Sequence, residues 1–217
     1  MEEKNVKEEV KRIPYGMMNF VAVREDNYYY VDKTRFIEKV ENSNRYFFFI
    51  RPRRFGKSLT MSMLRHYYDI NQTDKFDSLY GDLYIGKHPT PNHNKYLIIY
   101  LNFAVVNADL GNYRSALDAH CRTEFTILCD RYSSLLPSNL KENLMKEDGA
   151  VKQLDILYKV ANEVGLKIYL FIDEYDHFTN HILSDAARLN EYKGETHGTG
   201  YLRTFFDTIK SGTYSSI

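Results

Sequence analysis

Residues 46–59 read Tyr-Phe-Phe-Phe-Ile-Arg-Pro-Arg-Arg-Phe-Gly-Lys-Ser-Leu. The apolar run at 46–50 predicts a strand that is buried on both faces. A basic turn follows and ends in Gly56-Lys57-Ser58, where a helical pattern of apolar residues begins. A strand, a turn and a helix in this order are typical of a phosphate-binding loop, so the stretch predicts a nucleoside triphosphate with Mg²⁺ as its ligand.

The first position of this loop departs from the usual pattern. The usual loop reads G-x-x-x-x-G-K-[ST], and Arg51 stands where its first glycine is expected. Pro52 fixes its own φ and favours an extended backbone at Arg51. We therefore expect a loop that proline reshapes at its tip and that still binds phosphate.

A second motif lies about a hundred residues later. The apolar segment 167–174 predicts a strand that ends in Asp173-Glu174. Parallel strands present their carboxyl ends to the ligand crevice of an α/β sheet. We expect Ser58 to ligate Mg²⁺ and Asp173 to complete the Mg²⁺ shell directly or through water. Lys57 is expected to neutralise phosphate charge, and Glu174 to polarise the attacking water as a general base.

The other predicted elements indicate the fold class. Strands at 46–50, 96–103 and 167–174 alternate with helices, which predicts an α/β domain with a mainly parallel sheet flanked by helices. A short β segment is predicted at 28–31, and Asp32 is a candidate N-cap for a helix that ends near Glu41. The remaining predicted segments are helices at 19–25, 58–69, 112–132, 150–164 and 201–210, a connection or short helix at 137–148, a loop with short helical pieces at 71–95, and a polar loop at 184–200.

The bulk composition limits the classes of partner. The 217 residues carry 29 basic and 29 acidic side chains, so no overall charge attracts nucleic acid or acidic membranes. No apolar run approaches the ~20 residues that span a bilayer, and no signal peptide is recognisable, which predicts a soluble cytoplasmic protein. Cys121 and Cys129 lie eight residues apart, a spacing that favours two half-buried thiols in a reducing compartment over zinc ligands.

Two other constellations near the second motif are weaker. Asp173, Glu174 and Asp176 resemble a nuclease carboxylate cluster, but the lysine that such nucleases need is missing near the second acid. His177 and His181 have helical i, i+4 spacing without an evident third metal ligand, which favours a solvent-facing pair.

The motifs together resemble the AAA-ATPase-like family of prokaryotic P-loop proteins. The resemblance covers the chain from about Ile13 to its end, and the string Arg-Pro-Arg-Arg-Phe-Gly-Lys-Ser at 51–58 is that family's own form of the Walker A loop. It implies a P-loop NTPase fold of the ASCE type related to AAA+ ATPases, with ATP and Mg²⁺ as ligands. The matching stretches are 13–16 with Phe20, 30–34, 51–59 and 171–176. The residues expected around the nucleotide are Arg53, Arg54, Phe55, Gly56, Lys57, Ser58 and Leu59.

The resemblance also implies how the chain is organised. Residues 1–45 form an N-terminal extension and 46–217 the ATPase core. Members of this family continue past the last helix with a further strand and a helical region, often followed by a PD-(D/E)XK nuclease-like domain, so the core is expected to be incomplete at Ile217. In such folds the region of 30–34 can approach adenine and ribose, whereas packing on the first helix is the role expected of Tyr30.

The expected function is ATP hydrolysis that drives a conformational change. The alternative is a module that binds ATP, hardly turns it over and switches partner contacts. A kinase-like transferase is a third reading, which tandem acids after a strand favour less than water activation. Arg203 is a candidate arginine finger only because it is basic, and the oligomeric state, the partners and a role for nucleic acid stay open.

Overall fold

The computed structural model of the chain describes residues 10–43, 46–50, 52, 54–106, 113–175 and 200–212. The described elements are α1 (Phe20–Glu25), α2 (Phe36–Glu41), α3 (Lys57–Tyr68), a 3₁₀ segment (Ile70–Lys75), α4 (Phe76–Tyr80), α5 (Tyr84–Lys87), β1 (Tyr96–Asn102), a 3₁₀ turn (Phe103–Val105), α6 (Tyr113–Arg131), α7 (Leu140–Lys146), α8 (Ala150–Glu163), β2 (Lys167–Asp173) and α9 (Tyr201–Gly212).

The chain divides into two compact units. The first comprises Met1–Tyr67 and Gln72–Pro91, and the second comprises Tyr68–Asn71 and Asn92–Ile217. The boundary predicted between residues 45 and 46 stays a prediction.

The sheet of the second unit consists, among the described residues, of β1 and β2. The two strands run parallel, with Tyr96 opposite Lys167 and Asn102 opposite Asp173. Parallel pairing between strands that are joined through helices confirms the α/β prediction. Both strands begin and end within one residue of their predicted bounds, because each is a short apolar run flanked by polar residues.

Three helices cover one face of this sheet. Alternate residues of the strands, among them Leu97, Ile99 and Ile168, are buried in one core with the apolar residues of α6, α8 and α9. The α6 carboxylate of Asp118 joins these helices, since it accepts hydrogen bonds from the Ala150 N–H over 2.7 Å and from the Tyr201 hydroxyl. This carboxylate therefore links α6 to the starts of α8 and α9.

The first unit is held by an aromatic cluster. Phe20, Tyr67 and Tyr80 are fully buried. The Phe20 ring stacks on the Tyr80 ring with centroids 5.1 Å apart, and the Tyr30 ring meets Phe20 edge-on at 5.2 Å. Tyr30 thus packs on the first helix, as expected from its sequence context.

Two predictions before α3 are wrong. Residues 28–31 form no strand, because the hydrogen bond from Tyr29 N–H to the Arg12 carbonyl does not extend into a ladder. Asp32 does not cap α2, whose N-cap is Arg35. Its carboxylate accepts hydrogen bonds from Thr34 and from the N–H of Tyr84 at the start of α5. Burial raises the pKa of Asp32, but these hydrogen bonds outweigh it and lower the pKa.

The prediction of a buried strand at 46–50 is also wrong. The segment belongs to no described strand, and the side chains of Phe48 and Ile50 are 82% and 89% exposed. The rings of Phe47 and Phe49 stack on each other with centroids 6.1 Å apart. An apolar run predicts a tendency to be buried, whereas strand formation also requires a neighbouring strand that takes up its N–H and C=O groups.

The cysteines are free thiols, as the sequence predicted, but they are more deeply buried than the half-buried side chains expected. Cys121 and Cys129 are buried free thiols on α6. Burial raises the pKa of both thiols, to about 11 for Cys129, so neither favours the reactive thiolate. Within the part of the chain that the structure describes, no helix is long and apolar enough to cross a membrane.

Candidate functional site

The loop before α3 contains two residues with left-handed backbone angles. Arg54 has a φ of 68° and Gly56 a φ of 75°. Between them, the N–H of Phe55 donates to the Pro52 carbonyl over 3.3 Å and closes a turn. Helix α3 then begins at Lys57. The sequence-predicted order of basic turn and helix is therefore present.

Glycine is favoured at position 56 by its backbone angle. No heavy atom of the described residues outside its neighbours lies within 4 Å of the place where a Cβ on Gly56 would stand. Space does not exclude a side chain there, but a left-handed φ costs about 1–2 kcal/mol for a residue with a Cβ. Arg54 carries this cost, and backbone strain of this kind clusters at ligand-binding sites.

The first turn of α3 presents its backbone amides at the end of this loop. The N–H and the hydroxyl of Thr60 both donate to the Gly56 carbonyl, over 3.0 and 2.9 Å. The N–H groups of a helix's first turn have no carbonyl partners within the helix, and the macrodipole adds positive potential there. Lys57, Ser58 and Leu59 lie in this turn with half-exposed side chains. The turn therefore has the chemistry that binds phosphate.

Contacts further along α3 fix the direction of the helix. The hydroxyl of Ser62 accepts a buried hydrogen bond from the Phe20 N–H over 3.0 Å. The hydroxyl of Tyr80 donates to the Met63 carbonyl over 2.7 Å. These bonds join α3 to α1 and α4, so the loop at residue 56 leads into a helix with a fixed position within its unit.

Asp173 is the last residue of β2 and is only 4% exposed. One carboxylate oxygen, Oδ1, accepts the N–H of Glu174 over 2.9 Å. The other, Oδ2, accepts the hydroxyl of Tyr100 over 3.1 Å. A buried carboxylate needs such donors, and here they also set its orientation.

Glu174 has a left-handed backbone, with a φ of 54°. Its side chain is half-exposed, unlike that of Asp173. The two neighbouring acids therefore differ in environment: Asp173 is buried and held by donors, whereas Glu174 is accessible to solvent water. This difference suits a metal ligand and a general base, respectively.

The candidate metal ligands, Ser58 and Asp173, both offer oxygen atoms, which suit Mg²⁺ bound with a triphosphate. Mg²⁺ prefers oxygen ligands and is usually held by one or two carboxylates together with phosphate oxygens and water. The described residues contain no cluster of three or more His, Cys, Asp or Glu side chains that could hold a metal ion. The Asp173 carboxylate at the end of β2 is by itself an oxygen ligand of the kind that Mg²⁺ prefers.

The candidate residues fall into two groups. Arg54, Phe55, Gly56, Lys57, Ser58 and Leu59 lie together at the start of α3 in the first unit, and Asp173 and Glu174 lie at the end of β2 in the second. Arg53 and the weaker candidates Asp176, His177 and His181 lie outside the described residues.

Tyr100 is the site residue that sequence reasoning missed. Residues alternate between the two faces of a strand, so Tyr100 shares its face with Asn102, whose partner across the ladder is Asp173. A polar tyrosine two positions before the end of an apolar strand was therefore the available signal. Its use required the register of β1 against β2.

One of the comparisons with known proteins identifies a family. A family described as "Predicted AAA-ATPase" matches residues 14–217. An "Uncharacterized protein in vnfD 5'region" of Azotobacter chroococcum mcd 1 is 43% identical over 63 residues. That alignment covers 29% of this chain and 12% of the relative's length. No solved structure matches the chain.

Proposed function

Because this chain belongs to the predicted AAA-ATPase family, we propose that it binds ATP with Mg²⁺ on a P-loop NTPase fold and hydrolyses the γ-phosphate to drive a conformational change. The observation that carries this proposal is the turn with left-handed backbone at Arg54 and Gly56, which leads into the first turn of α3 at Lys57-Ser58. The parallel pairing of β1 and β2, with acids at the end of β2, supports the same fold.

Different groups of the chain bind the phosphates and the Mg²⁺ of ATP. The first N–H groups of α3 donate to phosphate oxygens, and the Lys57 ammonium neutralises charge that builds up on the β and γ oxygens. The Ser58 hydroxyl and the Asp173 carboxylate would hold Mg²⁺. When bound there, the ion would supply positive charge that stabilises the negative charge developing on the phosphate oxygens.

Glu174 supplies the proton acceptor for the chemical step. Its carboxylate takes a proton from water as the water oxygen bonds to the γ-phosphorus and the bond to the bridging β-oxygen breaks. The products are ADP and inorganic phosphate. Because Glu174 is half-exposed, its carboxylate has access to the water that it would orient.

The binding half of the proposal is tested by calorimetric titration with ATP and MgCl₂. Lys57→Ala removes a charge-assisted contact, which is worth about 1.5–3 kcal/mol, so we expect a 10- to 100-fold weaker Kd. Lys87→Ala is the matched control, since Lys87 is an exposed lysine of the same unit near the end of α5. Equal affinities of wild type and Lys57→Ala would refute the assignment of the loop.

The hydrolysis half is tested by phosphate release. Removal of a general base slows such a step by about 10²–10⁴-fold, so Glu174→Gln should lose most of its turnover and keep its ATP affinity. Glu163→Gln, at an exposed glutamate at the end of α8, is the control. Binding of ATP with equal, background release from wild type and Glu174→Gln would instead identify a nucleotide-gated module.

A further inference from the structure

The hydroxyl of Tyr100 contacts the candidate Mg²⁺ ligand directly. It donates to Oδ2 of Asp173 over 3.1 Å, and the two residues come from adjacent strands of the sheet. Tyr100 pairs across the ladder with Phe171, two residues before Asp173, so the contact is a diagonal one on a single face. This geometry follows from the parallel register of β1 and β2 and does not depend on a flexible loop.

Strand β1, which carries Tyr100, is also fixed by a hydrogen bond to a residue outside the sheet. The N–H of Ile98 donates to the hydroxyl of Tyr132 over 3.0 Å, and that hydroxyl donates to Oδ1 of Asp69 over 2.9 Å. Tyr132 is fully buried. The backbone two residues before Tyr100 is therefore anchored, which limits the positions that its hydroxyl can reach.

Each oxygen of the Asp173 carboxylate thus has its own donor from a rigid part of the unit. The backbone N–H of Glu174 holds Oδ1 and the Tyr100 hydroxyl holds Oδ2. Donors that orient a ligating group commonly change metal affinity 10- to 100-fold when they are removed.

We propose that Tyr100 is a positioning residue that orients the Asp173 carboxylate for the divalent cation of the bound nucleotide. The proposal rests on the proposed function, because Asp173 is assigned there as the Mg²⁺ ligand. Tyr100 itself contacts neither the nucleotide nor the metal in this assignment. Its effect is expected in the metal dependence of nucleotide binding.

The test uses Mn²⁺ in place of Mg²⁺, because Mn²⁺ also prefers oxygen ligands and its bound fraction is measured by electron paramagnetic resonance. The full chain is titrated with Mn²⁺ at fixed ATP, and ATP binding in EDTA is measured separately. Tyr100→Phe should raise the half-saturating Mn²⁺ concentration about 10-fold and leave metal-free ATP binding unchanged. Tyr96→Phe is the control, since Tyr96 lies on the same face of β1 and its hydroxyl contacts Asn92 over 3.4 Å.

A double variant separates positioning from general damage to the fold. Asp173→Asn removes the charge that Tyr100 is proposed to orient, so Tyr100→Phe should have no further effect on Mn²⁺ binding in that background. If Tyr100→Phe does not fold, Tyr100→Leu replaces it, because leucine likewise has no donor for the Asp173 carboxylate. We then expect an Mn²⁺ half-saturation that is shifted 3-fold or more.

The outcomes distinguish the two proposals. Normal Mn²⁺–ATP binding by wild type together with half-saturation of the Tyr100 variant within 2-fold of wild type would overturn the role of Tyr100 alone. A lowered melting temperature with unchanged half-saturation would assign the tyrosine a purely structural role and overturn the proposal equally. Absence of metal-dependent ATP binding in the wild type would overturn the proposed function and this inference with it.

Discussion

Glu174 is the position at which backbone strain and proposed chemistry coincide. Its φ of 54° places a residue with a Cβ in the left-handed region, which costs about 1–2 kcal/mol. Asparagine tolerates this region better than glutamate or glutamine, because its short polar side chain can hydrogen-bond locally. We therefore expect Glu174→Asn to be more stable than Glu174→Gln by about 0.5–1 kcal/mol.

The comparison of the two variants isolates the backbone contribution. Both replace the carboxylate by an amide, so both remove the charge, and they differ in side-chain length and in tolerance of the left-handed region. A difference of about 1 kcal/mol corresponds to about 2–4 °C in Tm for a domain of this size. Urea unfolding followed by circular dichroism gives the free energy of unfolding, and phosphate release gives the turnover.

A matched pair at a helical position provides the control. Glu142 is exposed in the first turn of α7, where its carboxylate pairs with Lys146 over 2.8 Å. There glutamine is the better helix former, so Glu142→Asn should be less stable than Glu142→Gln by a few tenths of a kcal/mol. The reasoning is refuted if Glu174→Asn is no more stable than Glu174→Gln. We expect both Glu174 variants to lack turnover, which would mean that the strain is retained for the sake of the carboxylate.

Three further predictions concern other residues. Tyr132→Phe should lower the free energy of unfolding by about 2–4 kcal/mol in urea, because it leaves the buried N–H of Ile98 without its acceptor and removes a donor from Asp69; a loss below about 1 kcal/mol would contradict this. Gly56→Ala should lose about 1 kcal/mol by the same assay through its φ of 75° alone, and an unchanged stability would show that the loop relaxes. Burial lowers the pKa of His120. Below about pH 6.5 the unfolded chain therefore binds a proton that the folded chain does not, so the free energy of unfolding falls on acidification. His120→Gln should flatten this fall between pH 7 and 5, and a pH profile identical to that of the wild type would argue against the role of His120.

The long, strongly patterned elements could be predicted from the sequence. α8 ends at Glu163, and Gly165 follows with a φ of 70°, as the glycine after an apolar helical pattern indicated. The last helix, α9, begins at the predicted residue. These predictions succeed because helical periodicity and a glycine stop signal are local properties of the chain.

The errors occurred where a residue had more than one partner available. Asp32 is a good N-cap by type, but its carboxylate bonds to Thr34 and to Tyr84, which lies 52 residues further along. A hydrogen-bond partner so far along the chain cannot be recognised from the local sequence. The aromatic run that includes Phe48 and Ile50 was judged by hydropathy, although its pairing depends on neighbours that hydropathy does not identify.

The sequence by itself determined which residue types can bind a nucleotide: a glycine, a lysine and a serine at the start of a helix, and two acids at the end of a strand. Their order along the chain suffices, because phosphate binding at a helix start depends on adjacent backbone groups. Only the tertiary structure decided that Asp173 is buried against the Tyr100 hydroxyl and that Glu174 adopts a strained backbone. The physical reason is that the contact of Tyr100 with Asp173 arises from the register of β1 and β2, strands separated by about 70 residues, and no local pattern encodes which side chains that register brings together. The backbone angle of Glu174, just after β2, is likewise a property of the folded chain.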